Sequence, residues 1–145
     1  DLLKAYLPVI ICLNLTQNNM FLGCLVGGGV IIGHIHPFFM NFKGGKGMSS
    51  YFGMILGLDF TFGLLLLLIA AILLMITNYV AIATILILII VPLREYFLSN
   101  LNTLNADYIL SLSLLSFLIF LKHMENLIKI KNGEETTFWS VFKNK

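Results

Sequence analysis

The sequence predicts an all-α membrane protein, a single polytopic domain of about six transmembrane or half-spanning helices. Hydrophobic residues make up 59% of its 145 residues and charged residues only 11%, against about 45–50% and about 25% in soluble domains. The mean hydropathy is +0.95. Apolar residues occupy nearly the whole chain, and the charged residues cluster between the apolar runs. We therefore expect the bilayer, rather than a water-soluble core, to cover the apolar surface.

The first three predicted segments are Leu2 to Leu15, Met20 to Ile35 and Met48 to about Phe60, and polar or glycine-rich stretches separate them. A bilayer core of about 30 Å needs roughly 20 helical residues. The third segment reaches only about 20 Å at the helical rise of 1.5 Å per residue. We expect it to be a half-span buried among its neighbours, where irregular backbone is tolerated.

The apolar run from Phe62 to Leu93 is too long for one passage, since it would extend about 48 Å as a helix. Its only polar interruption is Thr77-Asn78, which predicts two helices joined by a tight turn. A last segment, from about Leu104 to Leu121, follows the polar residues 99–102. Six segments result.

The basic residues predict which side of the membrane each end occupies, because Lys and Arg flanks stay in the cytoplasm. An alternating six-pass path puts eight of the nine basic residues on one side and only Arg94, beside Glu95, on the other. Both ends of the chain are then cytoplasmic. Asp59, Glu95 and Asp107 fall on the opposite side, where we expect solvated loop charges.

A basic glycine turn, residues 43–47, carries most of the predicted chemistry. Gly44, Gly45 and Gly47 let the backbone approach a ligand, and the start of the following helix favours an anion. Lys43 and Lys46 add positive charge, so the turn predicts a phosphate site. It is not an ATP-binding P-loop, because no Ser or Thr follows the lysine and a helix precedes it. Taken alone, a flexible interfacial loop with cytoplasmic lysines explains the turn equally well.

A second polar cluster, residues 122–126, ends the last predicted helix on the same side. His123 and Asn126 share a helical face and are suited to bind a hydroxyl or a phosphate. An interfacial cap with snorkelling lysines is an equally good interpretation of this cluster. We expect no three-histidine metal site from His34, His36 and His123, because no acidic residue accompanies them. The net charge of +2 does not suggest nucleic-acid binding.

These residues resemble the bacterial acyl-phosphate-dependent glycerol-3-phosphate acyltransferases. The family's second motif, Gly-His-x-x-Pro-x-Phe-x-x-Phe-Lys-Gly-Gly-Lys-Gly, is filled at every fixed position from Gly33 to Gly47. Its third motif, His-x-x-Asn-aliphatic-x-basic followed by Gly-x-Glu, is similar to the stretch from His123 to Glu135. The chain departs from the family at Asn78 and Met124, where arginine is common. Its opening, Asp1 to Ala5, resembles the Asp-x-x-Lys-Gly start of the family's second helix.

The resemblance implies a seven-helix enzyme that transfers a fatty acyl group from acyl phosphate to the first hydroxyl of glycerol 3-phosphate. The product is lysophosphatidate, an intermediate of phospholipid synthesis. The resemblance places the enzyme in the bacterial inner membrane with its active site on the cytoplasmic face, and implies no cofactor or metal. Its partners are the two substrates and the bilayer, with no nucleic acid; no protein partner is predicted.

The family pattern also implies roles for individual residues. Lys46 and the backbone of Gly44, Gly45 and Gly47 bind phosphate, and Lys43 supports them. His123 and Asn126 orient glycerol phosphate and its hydroxyl and, with Lys46, are the implied catalytic residues. His34, which braces the turn, and Thr84, at a position where the family tends to carry a small hydroxyl residue, complete the implied set of substrate- and phosphate-binding residues.

The family's first motif, a Ser-Gly-Asn segment with a downstream arginine, would precede Asp1. We therefore expect this chain to lack the first helix and part of the active site, and an inactive membrane fragment is one alternative interpretation of it. A transporter or channel for organic phosphates is the main alternative, since such proteins also point broken helices at anions. A detectable inverted repeat would favour that alternative, and none is visible in the sequence.

Overall fold

The computed structural model describes residues 1–42, 44–99 and 106–143, apart from the side chains of Phe39 and residues 141–143. Within these ranges the chain is helical. The order along the chain is α1 (Leu2–Leu15), α2 (Met20–Ile35), a 3-10 turn (Phe38–Met40), α3 (Met48–Leu58), α4 (Phe60–Thr77), α5 (Val80–Leu98), α6 (Ala106–Lys131) and a short α7 (Phe138–Lys143).

The predicted segments agree closely with the helices. The bounds of α1 and α2 are those expected, and the long apolar run divides at Asn78. Asn78 has φ of 60°, a left-handed conformation that its short polar side chain tolerates. The third helix ends at Leu58 rather than about Phe60, because Asp59 accepts a hydrogen bond from Phe62 N at 2.9 Å and caps α4 instead.

The last long helix differs more from the expectation. The apolar run ends near Leu121 and the polar cluster 122–126 was expected to end the helix, but α6 continues to Lys131, because the residues that follow are good helix formers that alternate polar and apolar faces. Its predicted start near Leu104 lies outside the described residues. The short α7 was not predicted.

The outer surface of the bundle is apolar, as a membrane protein requires. In the described part of the chain, α4, α5 and α6 are long and apolar enough to cross a membrane, and α1, α2 and α3 are shorter apolar helices. Leu64, Leu68, Ile72 and Met75 of α4 are each about half exposed or more. Such a surface is too large for a monomeric soluble protein and suits contact with lipid.

The central helix of the amino-terminal half is α3, which packs against α1, α2 and α4. A side chain at Gly57 would bring a Cβ within 2.7 Å of Val9 Cγ1, so the glycine permits close approach of α1. Gly27 likewise faces Met54 and permits close approach of α2 and α3. Deeper in the core, the Tyr51 hydroxyl lies 2.7 Å from Ser116 Oγ and joins α3 to α6.

Polar groups mark the two ends of the bundle. At one end Arg94 Nη2 donates to Asp59 Oδ2 at 3.0 Å, its Nη1 donates to Glu95, and its Cζ lies 4.0 Å from the Phe62 ring centroid. The glycine turn lies at the other end. The expectation that Asp59 and Glu95 are solvated loop charges is wrong, because both pair with Arg94.

Candidate functional site

The glycine turn folds back on the end of α2. Gly44 N donates to Ile35 O and Gly45 N donates to His34 O, each at 3.2 Å. A Cβ at Gly45 would collide with His34 Nε2, so the imidazole ring packs directly on the turn. His34 is thus in contact with the turn, and its bracing role stays a prediction. Lys43, the supporting lysine predicted from the sequence, lies outside the described residues.

The amides of Gly44 and Gly45 already donate to carbonyls of α2, so the backbone donors open to a ligand lie at the start of α3. Gly47 has φ of 87° and precedes the helix without a capping side chain, and its carbonyl accepts from Tyr51 N at 2.9 Å. In the described part of the chain, the first three amides of α3 donate to no acceptor. An anion at this point can accept them. The backbone donors predicted across the turn are therefore concentrated at its carboxyl end.

Lys46 connects the glycine turn to α6. Its Nζ donates to Asn126 Oδ1, across 80 positions of sequence. Asn126 Nδ2 in turn donates to Glu135 Oε1 at 2.7 Å. An amide offers one acceptor and one donor group, so this orientation serves both neighbours. The two polar clusters predicted separately are in direct contact.

His123 lies one helical turn before Asn126 and is 3% exposed. Its Nδ1 is 2.9 Å from Ile119 O, and because a carbonyl only accepts, Nδ1 carries the proton. In the neutral ring Nε2 is then the hydrogen-bond acceptor. The histidines do not converge: among the described residues, no three His, Cys, Asp or Glu side chains form a group able to hold a metal ion.

Two cavities meet at the glycine turn and share Gly44 and Gly45 as lining residues. The α6-side cavity, of about 630 Å³, is also lined by Lys46, Lys122 and Glu125. The α1-side cavity, of about 570 Å³, lies against the starts of α1 and α3 and the end of α2, and its polar lining residues are Asp1, Lys4, His34 and Ser50. The turn therefore separates two polar spaces.

Thr84 lies elsewhere. It is 3% exposed and lines an apolar cavity of about 190 Å³ with Met48 and Phe52 of α3. That cavity shares no lining residue with the two cavities at the turn. The predicted part of Thr84 in phosphate binding stays a prediction.

A carboxyl-terminal strap, residues 132–140, was missed by the sequence analysis. Gly133, with φ of 73°, turns the chain after α6, and Glu135 then reaches Asn126. Further on, Phe138 N donates to Asn78 O at 2.9 Å and Trp139 N donates to Asn78 Oδ1 at 3.0 Å. The strap ties α6 to the α4–α5 turn. Its sequence signal is the Gly-x-Glu that follows α6.

Comparison with known proteins gives consistent matches. A sequence model of the glycerol-3-phosphate acyltransferase family matches residues 1–133. The glycerol-3-phosphate acyltransferase of Colwellia psychrerythraea is 35% identical over 136 residues, covering 94% of this chain and 66% of the relative. That of Photobacterium profundum is 30% identical over 145 residues, covering 100% and 68%. The chain spans about two thirds of the length of these curated relatives.

Solved structures share the fold. The crystal structures of PlsY (YgiH), an integral membrane glycerol 3-phosphate acyltransferase, in its lysophosphatidic acid and glycerol 3-phosphate forms, superpose with TM-scores of 0.82 and 0.83. Each is 23% identical and covers 94% of this chain, which in turn spans 67% and 66% of the two solved chains. The predicted fold class, a polytopic membrane bundle of helices, is confirmed.

Proposed function

The chain belongs to the glycerol-3-phosphate acyltransferase family, and from that premise we propose that it transfers a fatty acyl group from acyl phosphate to the 1-hydroxyl of glycerol 3-phosphate. The relatives are named for acylation of glycerol 3-phosphate. Acyl phosphate as the donor is part of the proposal. So is a location in the bacterial inner membrane with the site on the cytoplasmic face, which the distribution of Lys and Arg supports.

The single observation that carries the proposal is the hydrogen bond from Lys46 Nζ to Asn126 Oδ1. It joins a cationic glycine turn to a helix carrying an imidazole and an amide, so groups able to bind a phosphate and a hydroxyl meet at one end of the bundle. The membrane-facing helices leave room for a fatty chain in lipid. A reaction between a lipid anion and a water-soluble anion requires both features: polar groups that bind the anions and a surface open to lipid.

The reaction requires little chemistry from side chains. The hydroxyl oxygen of glycerol phosphate forms a bond to the acyl carbon, and the bond from that carbon to the phosphate oxygen breaks. Phosphate leaves with the electron pair and takes up the hydroxyl proton, so an ester and inorganic phosphate are formed. Catalysis then depends on holding two anions in alignment and on stabilising negative charge as it moves to the departing phosphate.

Within this scheme the protonation of His123 assigns it a role. Because Nδ1 is held by Ile119 O, Nε2 is the atom that accepts the hydrogen bond of the substrate hydroxyl and orients its oxygen. Asn126 fixes the Lys46 ammonium toward the bound phosphate. Lys46 neutralises charge on that group.

The test is an assay of the purified full chain in detergent with acyl phosphate and glycerol 3-phosphate. We expect lysophosphatidate and inorganic phosphate in equal amounts. Lys46→Ala and His123→Ala should each reduce turnover by about a hundredfold or more. Lys131→Ala, which removes an exposed lysine of α6, the helix that carries His123, should leave turnover unchanged. In parallel, liposomes containing the protein and organic phosphate test the transporter alternative. Flux without product formation would overturn the enzyme proposal, and absence of both would favour an inactive fragment.

A further inference from the structure

The strap holds the chain's single tryptophan against the turn between α4 and α5. Trp139 N donates to Asn78 Oδ1 at 3.0 Å, and Phe138 N donates to Asn78 O at 2.9 Å. Asn78 thus fixes the backbone of two successive strap residues. Trp139 is nevertheless 52% exposed, and its ring meets that of Phe138 edge to face, with centroids 5.4 Å apart. A fixed backbone that presents a large aromatic ring outward is the arrangement of an anchor rather than of a core residue.

The length of α4 places Asn78 at one boundary of the bilayer core. α4 has 18 residues and rises about 27 Å, close to the roughly 30 Å of the core. At its beginning Asp59 pairs with Arg94 at 3.0 Å, and such charges belong outside the hydrocarbon. Its last residue, Thr77, precedes Asn78. With the charges at one boundary, we expect Asn78 at the other.

Apolar surface continues along α4 and α5 as far as the strap. Ile76 is 74% exposed and Val80 is 55% exposed, and they lie on either side of Asn78 in the sequence. Both belong to helices long and apolar enough to cross a membrane, so their exposed surfaces suit acyl chains. Trp139, bonded to Asn78, therefore lies where the acyl chains end and the headgroups begin.

We propose that the strap is a membrane-surface anchor, in which the Trp139 ring inserts among phospholipid headgroups beside the α4–α5 turn. An indole combines a large apolar ring with one N–H donor, and for this reason tryptophan is enriched at the boundary between headgroups and acyl chains. Lys129 and Lys131, exposed in the last turn of α6, add charge complementary to anionic lipids. The partner of this surface is the bilayer interface itself.

The anchor reaches the candidate site through the strap. Glu135 precedes Trp139 by four residues and accepts from Asn126 Nδ2 at 2.7 Å. With Trp139 in the headgroups and Asn126 on α6, both ends of this short stretch are fixed. Ordering Glu135 then costs less conformational entropy than it would in a free tail. The bilayer thereby stabilises the contact between the strap and Asn126.

The fluorescence of Trp139 reports the depth of the strap without any substitution, because the chain has no other tryptophan. The full chain is placed in nanodiscs of phosphatidylethanolamine and phosphatidylglycerol, with a nitroxide-labelled phosphatidylcholine added. The nitroxide lies either near the headgroup or near the end of the acyl chain. We expect the ratio of headgroup-proximal to chain-end quenching to exceed one, and aqueous acrylamide to quench Trp139 less than free tryptophan amide. A ratio below one, or acrylamide quenching equal to that of the free amide with none from either lipid label, would overturn the anchor.

A second reporter calibrates the depth. Leu68→Trp combined with Trp139→Phe moves the single tryptophan to the middle of α4, where Leu68 is 58% exposed. Its quenching ratio should be below one, because the ring then lies among the acyl chains. Both proteins contain one tryptophan, so the two ratios compare position alone. Equal ratios in the two proteins would contradict a location of Trp139 at the interface.

Trypsin cleavage after Lys131, the last residue of α6, measures whether the ring holds the strap in nanodiscs. Trp139→Ser should be cleaved several-fold faster than the wild type, because cleavage follows the population of the opened strap. Trp139→Tyr keeps an interfacial aromatic ring and should be cleaved at the wild-type rate. A wild-type rate in Trp139→Ser would show that the ring holds nothing. If Trp139→Ser fails to fold, the quenching of the wild type decides. Neither measurement needs a substrate, so a failure of the proposed acyl transfer would leave both results unchanged.

Discussion

Asn126→Asp isolates the hydrogen-bond chain that joins the glycine turn to the strap. The substitution preserves an oxygen for Lys46 but replaces the Nδ2 that donates to Glu135 Oε1 at 2.7 Å by a second oxygen. Two carboxylates then face each other where a donor faced an acceptor. We expect turnover to fall, because the repulsion displaces residue 126 from Lys46.

The size of the effect follows from the geometry. Two unit charges about 4 Å apart near a protein surface interact by about 4 kcal/mol. Because Asn126 and Glu135 are both half-buried, water screens part of this interaction, and the stronger attraction of Lys46 for a carboxylate offsets another part. About 1 to 2 kcal/mol remains, which corresponds to a roughly five- to thirtyfold loss of kcat.

The amide and the carboxylate of the Asn126–Glu135 pair can also be exchanged between the two positions. Combining Asn126→Asp with Glu135→Gln removes the repulsion and lets the introduced amide donate to the introduced carboxylate, so most of the lost activity should return. The assay is phosphate release from acyl phosphate in the presence of glycerol 3-phosphate, with each variant's folding checked by thermal unfolding in detergent. Wild-type activity in Asn126→Asp, or no recovery in the double variant, would refute the reasoning.

Three further substitutions test other contacts. Gly45→Ala would place a methyl group against the His34 ring. Distorting the turn to relieve this overlap should cost about 1 to 3 kcal/mol and raise the KM. Gly29→Ala, where the added methyl group meets no neighbour, is the control and should match the wild type. Arg94→Met should lower stability by about 1 kcal/mol, since its ion pairs are partly exposed, without changing turnover per folded molecule. An unchanged thermal midpoint would contradict this. Tyr51→Phe should cost about 1 kcal/mol, and adding Ser116→Ala should cost little more; additive losses would argue against the shared hydrogen bond.

Periodicity and composition predicted the helices well, because in lipid every backbone group must be satisfied within its own segment. Asn78 could be recognised as a break for the same reason. The continuation of α6 beyond residue 126 was missed, since the apolar run had ended near Leu121 and polar residues follow it. In the added turns Asn126 accepts a hydrogen bond from Lys46, which lies 80 positions away in sequence, and this partner is invisible to a local pattern.

The candidate site was predicted in its parts but not in its connections. Motif spacing identified Lys46 and Asn126, yet their hydrogen bond depends on the packing of α2, α3 and α6, which no local pattern contains. Gly133 and Glu135 signal a turn after α6, but the course of the strap was missed because its contacts with Asn78 use backbone amides, which carry no sequence signature.

The shortness of α3 has a consequence for how substrates arrive. Its 11 residues rise about 16 Å, roughly half of a bilayer core, so its two ends cannot both reach a membrane surface. Asp59 at its far end pairs with Arg94, the residue expected on the opposite face, and we therefore expect the shortfall on the side of the glycine turn. The turn then lies in a depression below the headgroups, open to water above and to acyl chains beside it. Under the proposed function, the fatty substrate then need not leave its leaflet to meet the soluble one.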